Sequence, residues 1–249
     1  MRVRGYPQGT PCWAELIGEE SADATAFYGE LFGWKTDDRT FRLRDLAAAG
    51  LSHLDDAPDL GGSAWATYVA VEDLEAVSVL VADAGGTVLR EPHEMPNGGL
   101  AALFRDPDGA VFGAFEKKGA FGGAQINEEP GASCWFELST PNPDTVSSFY
   151  GKIFQWTEQD AEYAPGVRYS EFLTSSARVV AGMRVTEGAA RWLTCFEAED
   201  VATTAGRCVA LGGSVVAGMR AATMGSYAIL ADPSGAEFGV ISFLPELHA

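Results

Sequence analysis

Short apolar runs alternate with segments of helical periodicity along the whole chain. In the second half, a strand is predicted for CWFELS, which is rich in aromatic and apolar residues. Apolar residues then recur at helical spacing at Phe149, Ile153 and Phe154. Asn142 and Pro143 precede them as an expected N-cap and first-turn proline. With strands predicted next for VRYSEFL and RVVAGMRV, the pattern describes a unit of one strand, one helix and about three strands.

The same unit follows once more before the chain ends. A strand is predicted for WLTCFEA, and Asp200 is expected to cap the helix VATTAGRCVAL. Gly212 and Gly213 suit the left-handed conformation in which a helix can end. Strands are predicted for SVVAGM, SYAILA and AEFGVISF, with Asp-Pro-Ser-Gly as the tight turn before the last.

The first half of the chain repeats the second half, block by block and in the same order. Three pairs of segments show it: WAEL and WFEL, FYGELFGW and FYGKIFQW, DPDGAVFGAF and DPSGAEFGVI. We therefore predict a tandem duplication with one domain at 8–118, a linker at 119–131 and a second domain at 132–246. The stretch from Trp34 to Gly50 is shorter than that from Trp156 to Gly182, so the two halves need not hold equal sites.

Two motifs carry a family resemblance. The helical FY..LFGW after a strand, and DP-x-G between the last two strands, resemble the vicinal oxygen chelate superfamily over nearly the whole chain. That superfamily includes glyoxalase I, extradiol dioxygenases, fosfomycin-modifying enzymes and bleomycin-resistance proteins. The resemblance implies an α+β fold of four βαβββ units, which form cup-shaped mixed sheets with helices on the outer face. It also implies a ligand inside a cup.

The resemblance further implies a divalent metal, held by His and Glu at three positions of each cup. The matching positions carry Ala14, Ala66 and Gly113 in the first copy, and Phe136, Leu193 and Gly239 in the second. None of these side chains can ligate a metal, so we expect no metal and no other cofactor. His53 and His93 with a carboxylate leave one unorthodox alternative, while His248 is expected in an exposed tail.

Alternation along the strands divides the residues of each predicted strand between two faces, and the resemblance implies that the positions matching the family's metal ligands face the cup. The first cup is expected to be lined by Ala14, Ala66, Tyr68, Val111, Gly113 and Phe115. The second is expected to be lined by Phe136, Leu193, Cys195, Glu237, Gly239 and Ile241, with Tyr169, Phe172, Met183, Met219 and Met224 as an adaptable addition. The opposite face is expected to carry Trp13, Trp65, Trp135 and Trp192. Small residues suggest that the first cup is the more open one.

Glu237 is the best catalytic candidate, because the strand pattern points its carboxylate into the second cup. It can pair with a cationic ligand or act as a general base. A frame error of one residue would place it in solvent instead. Glu15 and Glu137 recur beside the tryptophans of both copies, which indicates a structural hydrogen bond.

Bulk composition narrows the class of partner. The chain has 249 residues and a net charge of −18, a field that repels nucleic acid and favours cationic ligands. No apolar run approaches the roughly 18 residues of a membrane span, and the N-terminus lacks the apolar core of a signal peptide. The four cysteines form no CxxC pair. We expect a cytoplasmic monomer or homodimer with a small-molecule ligand.

Three functions agree with these observations. The first is a metal-independent binding protein that sequesters or handles an aromatic or cationic antibiotic or natural product. The second is a cofactor-independent or auxiliary enzyme that acts on a natural-product intermediate, although no GxSxG or Cys/His motif is found. The third is a scaffold whose sites have decayed.

Overall fold

The computed structural model describes residues 1–18, 21–37, 39–95, 98–119, 122–162 and 166–244. His248 lies outside these residues. The first half contains β1 (Pro11–Gly18), α1 (Ser21–Phe32), β2 (Lys35–Asp37), β3 (Thr40–Leu43), β4 (Leu46–His53), β5 (Ala64–Val71), α2 (Leu74–Asp83), β6 (Thr87–Glu94), β7 (Leu100–Arg105) and β8 (Val111–Glu116). The second half contains β9 (Ser133–Thr140), α3 (Pro143–Phe154), β10 (Thr157–Asp160), β11 (Tyr169–Leu173), β12 (Val179–Val185), β13 (Arg191–Glu197), α4 (Val201–Ala210), β14 (Ser214–Ala222), β15 (Gly225–Ala231) and β16 (Glu237–Phe243).

Each half forms one eight-stranded mixed sheet. The strand orders are β2-β3-β4-β1-β5-β8-β7-β6 and β10-β11-β12-β9-β13-β16-β15-β14. At the centre of each sheet the first strands of the two units pair antiparallel, and each of them pairs parallel with the last strand of a unit. The predicted α+β duplication of four βαβββ units is confirmed.

The helices begin largely where the sequence predicts. Asp200 accepts a hydrogen bond from the backbone N–H of Thr203 at 2.7 Å, and Asp73 caps α2 in the same way. Asn142 is the N-cap of α3, but its side chain makes no capping bond. Its amide instead donates to Asp108 of the first half at 3.1 Å.

All four helices pack between the two sheets. Residues of α1 share one buried core with residues of β13, α4, β15 and β16 from the other half. Residues of α2 and α3 share a second core with strands of both halves. The convex face of each cup is therefore also the interface between the halves. No helix in the described part of the chain is long and apolar enough to cross a membrane.

The doubled sequence motifs meet across this interface. The Tyr28 hydroxyl donates to Asp232 Oδ2 at 3.0 Å, and the Tyr150 hydroxyl donates to Asp106 Oδ2 at 2.9 Å. Each FY tyrosine thus binds the DP-x-G aspartate of the other half. Each aspartate also accepts two backbone N–H bonds within its own turn. Both motifs therefore hold the two halves together.

The connection between the halves is packed rather than loose where it is described. Ala124 and Ile126 are buried. The indole of Trp34 donates to the carbonyl of Gly131 at 2.7 Å. This segment is therefore part of the interface.

Candidate functional site

We name the helix-free face of the first sheet the first cup, and that of the second sheet the second cup. A buried cluster in the first cup contains the predicted residues Ala66, Tyr68 and Phe115, with Val111 packed against it. Gly113 lies beneath the Tyr68 ring, because a Cβ at Gly113 would fall 2.1 Å from Tyr68 Cδ1. These five positions lie where the strand alternation predicts.

The predicted faces of β1 and β9 are wrong by one residue. Ala14 packs in the core with α1, and Phe136 packs against the core with α3. Trp13 and Trp135 belong to the cup clusters instead. Cross-strand pairing explains this, since Trp13 lies opposite Tyr68 and Trp135 lies opposite Cys195. A shift of one residue moves every side chain of a strand to the other face.

The other two tryptophans lie on the helix side, as expected. Trp65 donates to the Tyr28 hydroxyl and Trp192 to the Tyr150 hydroxyl, at 2.9 and 2.8 Å. They support the two tyrosines that join the halves.

The donor set of the cups does not fit a metal. With the corrected faces, β1 presents Glu15 to the first cup and β9 presents Glu137 to the second, where Glu237 is a second carboxylate on the cup side and pairs with Arg191. A catalytic zinc site needs three protein ligands. No group of three or more His, Cys, Asp or Glu residues that can hold a metal ion is found within the described ranges. His53 Nδ1 accepts from a backbone N–H, and His93 Nδ1 lies 3.0 Å from a carbonyl oxygen, so each ring has a local partner.

An insertion closes the first cup. Residues 54–60 form two short 3₁₀ helices, and Leu54, Ala57 and Leu60 belong to or pack against the first-cup cluster. Asp56 of this segment pairs with Arg39 at 3.4 Å and with Arg90 at 3.6 Å. We name residues 54–60 the plug.

Among the residues that the structure describes, the second cup has no comparable cover. Residues 186–190 connect β12 to β13, where 54–63 connect β4 to β5 in the first half. Trp13 and Tyr68 are each 1% exposed, whereas Trp135 and Tyr227 in the second cup are partly exposed. The expectation that the first cup is the more open one is therefore wrong. Gly113 at its floor accommodates the Tyr68 ring, and the plug packs against the same cluster.

A buried ion pair lies in the second cup. Glu137 Oε1 is 3.1 Å from Arg184 Nη2, and both side chains are largely buried. The Tyr169 hydroxyl also hydrogen-bonds Glu137 and accepts from the indole N–H of Trp135 at 3.1 Å. Burial raises the pKa of Glu137, and Arg184 opposes that rise. Gly182 makes room for the arrangement, since a Cβ there would lie 1.8 Å from the Tyr169 hydroxyl oxygen.

Glu15 is the equivalent carboxylate of the first cup. The side chains described as hydrogen-bonding to it are neutral. Glu15 accepts from Ser52 Oγ and from the Tyr68 hydroxyl, each at 2.6 Å. Sheet pairing makes Ser52 the counterpart of Arg184. The expected structural hydrogen bond at these two glutamates is present in both cups, but only Glu137 has a charged partner.

The remaining wall of the second cup is apolar. Leu193, Cys195 and Ile241 form a buried cluster there with Tyr227 packed against it, and Met224 lines the same space. Gly239 lies under Cys195, whose Sγ would be 2.3 Å from an added Cβ. Burial raises the pKa of the Cys195 thiol, so this sulfur is not a ready nucleophile. The free space is about 20 Å³, room for about one water.

Several predicted second-cup residues lie elsewhere. Phe172 and Met183 pack in the core with α3, because their neighbours on each strand take the cup face. Met219 is 60% exposed on β14. Glu237 is on the cup side, but its carboxylate is 3.0 Å from Arg191 Nε and its side chain is 34% exposed. The catalytic candidate is therefore neutralised and near solvent.

Sequence reasoning did not identify three residues of the second cup, which are Trp135, Glu137 and Arg184. Glu137 gave a usable signal, because its repetition in both copies indicates a buried hydrogen bond. Arg184 gave none, since its counterpart Ser52 is of a different chemical type.

Comparison with known proteins agrees with this architecture. Residues 13–113 match a family model described as "Glyoxalase/Bleomycin resistance protein/Dioxygenase superfamily", and residues 135–241 match one described as "Glyoxalase-like domain". The chain is 31% identical over 255 residues to "Putative glyoxylase CFP32" of Mycobacterium tuberculosis (strain CDC 1551 / Oshkosh), with 97% of each chain covered. It is 32% identical over 261 residues to "Anthracycline biosynthesis protein DauV" of Streptomyces sp. (strain C5), covering 95% of this chain and 94% of that protein.

The fold also resembles a solved structure. The 2,3-dioxygenase LapB from Pseudomonas sp. KL28 superposes with a TM-score of 0.63 at 18% identity, and 96% of each chain is covered. At that identity the likeness concerns the fold alone.

Proposed function

Because the chain belongs to the vicinal oxygen chelate superfamily as a tandem two-domain member, we propose that it binds a small aromatic molecule in its second cup without a metal. The observation that carries this proposal is the difference between the cups. The first is filled by Tyr68 and covered by the plug, while the second has a short connection and an apolar wall around one polar anchor. Apolar clefts with few polar groups are typical small-molecule sites.

The charges of the second cup favour a neutral ligand. Glu137 is paired with Arg184 and Glu237 with Arg191, so neither carboxylate attracts a cation strongly. A ligand hydroxyl or carbonyl can join the hydrogen-bonded group of Glu137 and Tyr169, while its rings contact Leu193 and the nearby aromatic side chains. The name of one relative as an anthracycline biosynthesis protein supports a polycyclic aromatic natural product as the ligand class.

Such a ligand requires the cup to open, because the free space holds about one water. The end of the β14–β15 hairpin is the part that can move. Ala222, Met224 and Gly225 line the cup from this hairpin. Most of β14 is exposed, and its pairing with β15 is irregular at two places. Few buried contacts hold this element in place.

The test is a titration of the full chain with an anthracycline aglycone, which is polycyclic, aromatic and neutral, and the fluorescence of the aglycone reports binding. Cys195→Tyr places in the second cup the residue that fills the first one, over a glycine in both cases. This variant is expected to weaken binding at least ~10-fold, equivalent to about 1.4 kcal/mol. Cys195→Ala, which keeps the cup open, is the matched control. Equal binding by both variants would place the ligand elsewhere.

A second function is favoured by one observation, the raised pKa of Glu137 beside a tyrosine hydroxyl. A carboxylate whose pKa is raised is a stronger proton acceptor than an exposed one. Mass spectrometry can follow conversion of the anthracycline aglycone to a product. A Glu137→Gln variant that binds the aglycone but no longer converts it would indicate an enzyme. Absence of any product with the unmodified chain would leave the binding function.

A further inference from the structure

A second cavity lies where the two halves meet, outside both cups. Its volume is about 120 Å³, room for several waters or for a molecule of a few non-hydrogen atoms. The N-terminal segment and β1 form one wall, and the connection, β9 and β12 form the other. It is independent of the second cup as a binding site, although Trp135 contributes to the walls of both.

Two buried polar atoms line this cavity without a hydrogen-bond partner in the described part of the chain. They are Thr10 Oγ1 and Asn127 Oδ1. Thr10 is only 6% exposed. A buried polar atom without a partner costs about 1–3 kcal/mol, so such atoms indicate that something else occupies the space.

Opposite charges lie at the same cavity. Arg178 and Glu128 are both exposed and both line it, and neither forms an ion pair among the residues that the structure describes. Glu128 also has φ of 52°, a left-handed conformation that residues with a side chain seldom adopt. Backbone strain of this kind collects at functional sites. The inner wall carries no charge, because burial raises the pKa of the Cys12 and Cys134 thiols and keeps them protonated.

We propose that this interdomain cavity binds a short zwitterionic amino acid. Its carboxylate pairs with Arg178, its ammonium group faces Glu128, and its polar atoms satisfy Thr10 and Asn127. A zwitterion also suits the net charge of −18, which repels a simple anion but not a molecule without net charge.

Equilibrium dialysis of the full chain against radiolabelled glycine tests the proposal. We expect saturable binding of a single equivalent, weakened at least ~10-fold in Thr10→Val and in Arg178→Gln, about the effect of one lost hydrogen bond to a charged group. Thr10→Val is nearly isosteric, and Arg178 is exposed, so both variants are expected to fold. Arg168→Gln removes an exposed arginine that does not line the cavity and serves as the matched charge control.

Three results would overturn the proposal. They are no saturable glycine binding, glycine binding that survives both Thr10→Val and Arg178→Gln, and acetate or ethanolamine binding as tightly as glycine. Thr10 and Arg178 do not line the second cup, so Thr10→Val and Arg178→Gln are expected to leave binding of the anthracycline aglycone unchanged. Failure of the glycine proposal can therefore be distinguished from failure of the anthracycline titration.

Discussion

In each cup one tyrosine above a glycine reaches the buried glutamate. Gly113 accommodates the Tyr68 ring in the first cup, and Gly182 accommodates the Tyr169 hydroxyl in the second. The two tyrosines come from different strands, β5 and β11, yet each binds the buried glutamate of its own cup. Glycine occupies both of these backbone positions in both halves, so the strand that carries the tyrosine, and not the glycine, differs between the cups.

Gly182→Ala is expected to destabilise the fold by about 1–3 kcal/mol, because the new methyl group overlaps the Tyr169 hydroxyl. Gly188→Ala is the matched control, since no atom lies within 4 Å of its added Cβ. Urea denaturation of both variants measures the difference. Equal free energies of unfolding would mean that Tyr169 does not occupy this position.

Arg184→Met is expected to cost about 3–5 kcal/mol, because it leaves Glu137 buried without its charged partner. Arg168→Met at the exposed pair with Asp144 is the control and is expected to cost at most about 1 kcal/mol. Denaturant unfolding curves of the two variants provide the comparison.

This loss is also expected to depend on pH. The folded-state pKa of Glu137 lies above its unfolded value, so the folded state holds the proton more tightly and loses stability as pH rises through the folded pKa. Removing Arg184 raises that pKa further. The penalty of Arg184→Met is therefore larger at about pH 8 than at about pH 5. A penalty independent of pH would exclude Glu137 as its source.

At the level of elements, the two cups differ in one connection, which joins β4 to β5 in the first half and β12 to β13 in the second. The plug supplies apolar side chains to the first cup and is held by Asp56 between two arginines. The second copy has only residues 186–190 at this place. The two halves therefore have the same strand order, but the plug covers the first cup and a shorter connection stands at that place in the second.

Exchange of residues 54–63 for the sequence of 186–190 is expected to open the first cup. The variant should bind a hydrophobic fluorescent dye and unfold at a lower temperature, because the Tyr68 and Trp13 side of the sheet becomes exposed. Asp56→Asn keeps the plug but weakens its ion pairs, and is expected to change stability by at most about 1 kcal/mol. A chimera without dye binding would show that the plug is not what covers this cup.

At the level of the whole molecule, the halves depend on one another. Each helix packs in a core to which both sheets contribute, and each FY tyrosine binds an aspartate of the other half. Both aspartates have a pKa raised mainly by burial. We infer that the two halves unfold together.

Tyr150→Phe is expected to cost about 1.5–3 kcal/mol, because Asp106 loses a donor and Trp192 loses an acceptor. Tyr28→Phe is its counterpart in the other half and is expected to cost a similar amount. The two sites share no partner, so the loss of unfolding free energy in the double variant should equal the sum of the two single losses within about 0.5 kcal/mol.

Urea unfolding followed by fluorescence and by circular dichroism should give a single transition, and two separate transitions would contradict the interdependence of the halves.

Much of the fold could be predicted because it is local or repeated. The capping aspartates, the helical spacing of α3 and the DP-x-G turns are properties of short segments, and the repeat shows that both halves share one architecture. The faces of β5 and β8 were predicted correctly from alternation together with the positions that match the family's metal ligands. The same reasoning was wrong for β1 and β9, since alternation defines two sets of residues without saying which set faces the core, and the matched position on these strands lies on the core side.

The candidate site was less accessible to sequence reasoning. Glu137, Arg184 and Tyr169 belong to three strands, and their contact depends on sheet pairing and on the space above Gly182. The cavity between the halves brings together Thr10, Asn127 and Arg178 from distant parts of the chain. No pattern within a short segment of the sequence predicts that these three residues lie close together.

By itself, the sequence determined the duplication and the order of strands and helices. These are properties of order and periodicity, which are written along the chain. Only the tertiary structure decided which cup is covered, which tryptophans face the cups and which half each FY tyrosine binds. Those outcomes depend on strand register and on packing between the halves, where residues far apart in the chain compete for the same space.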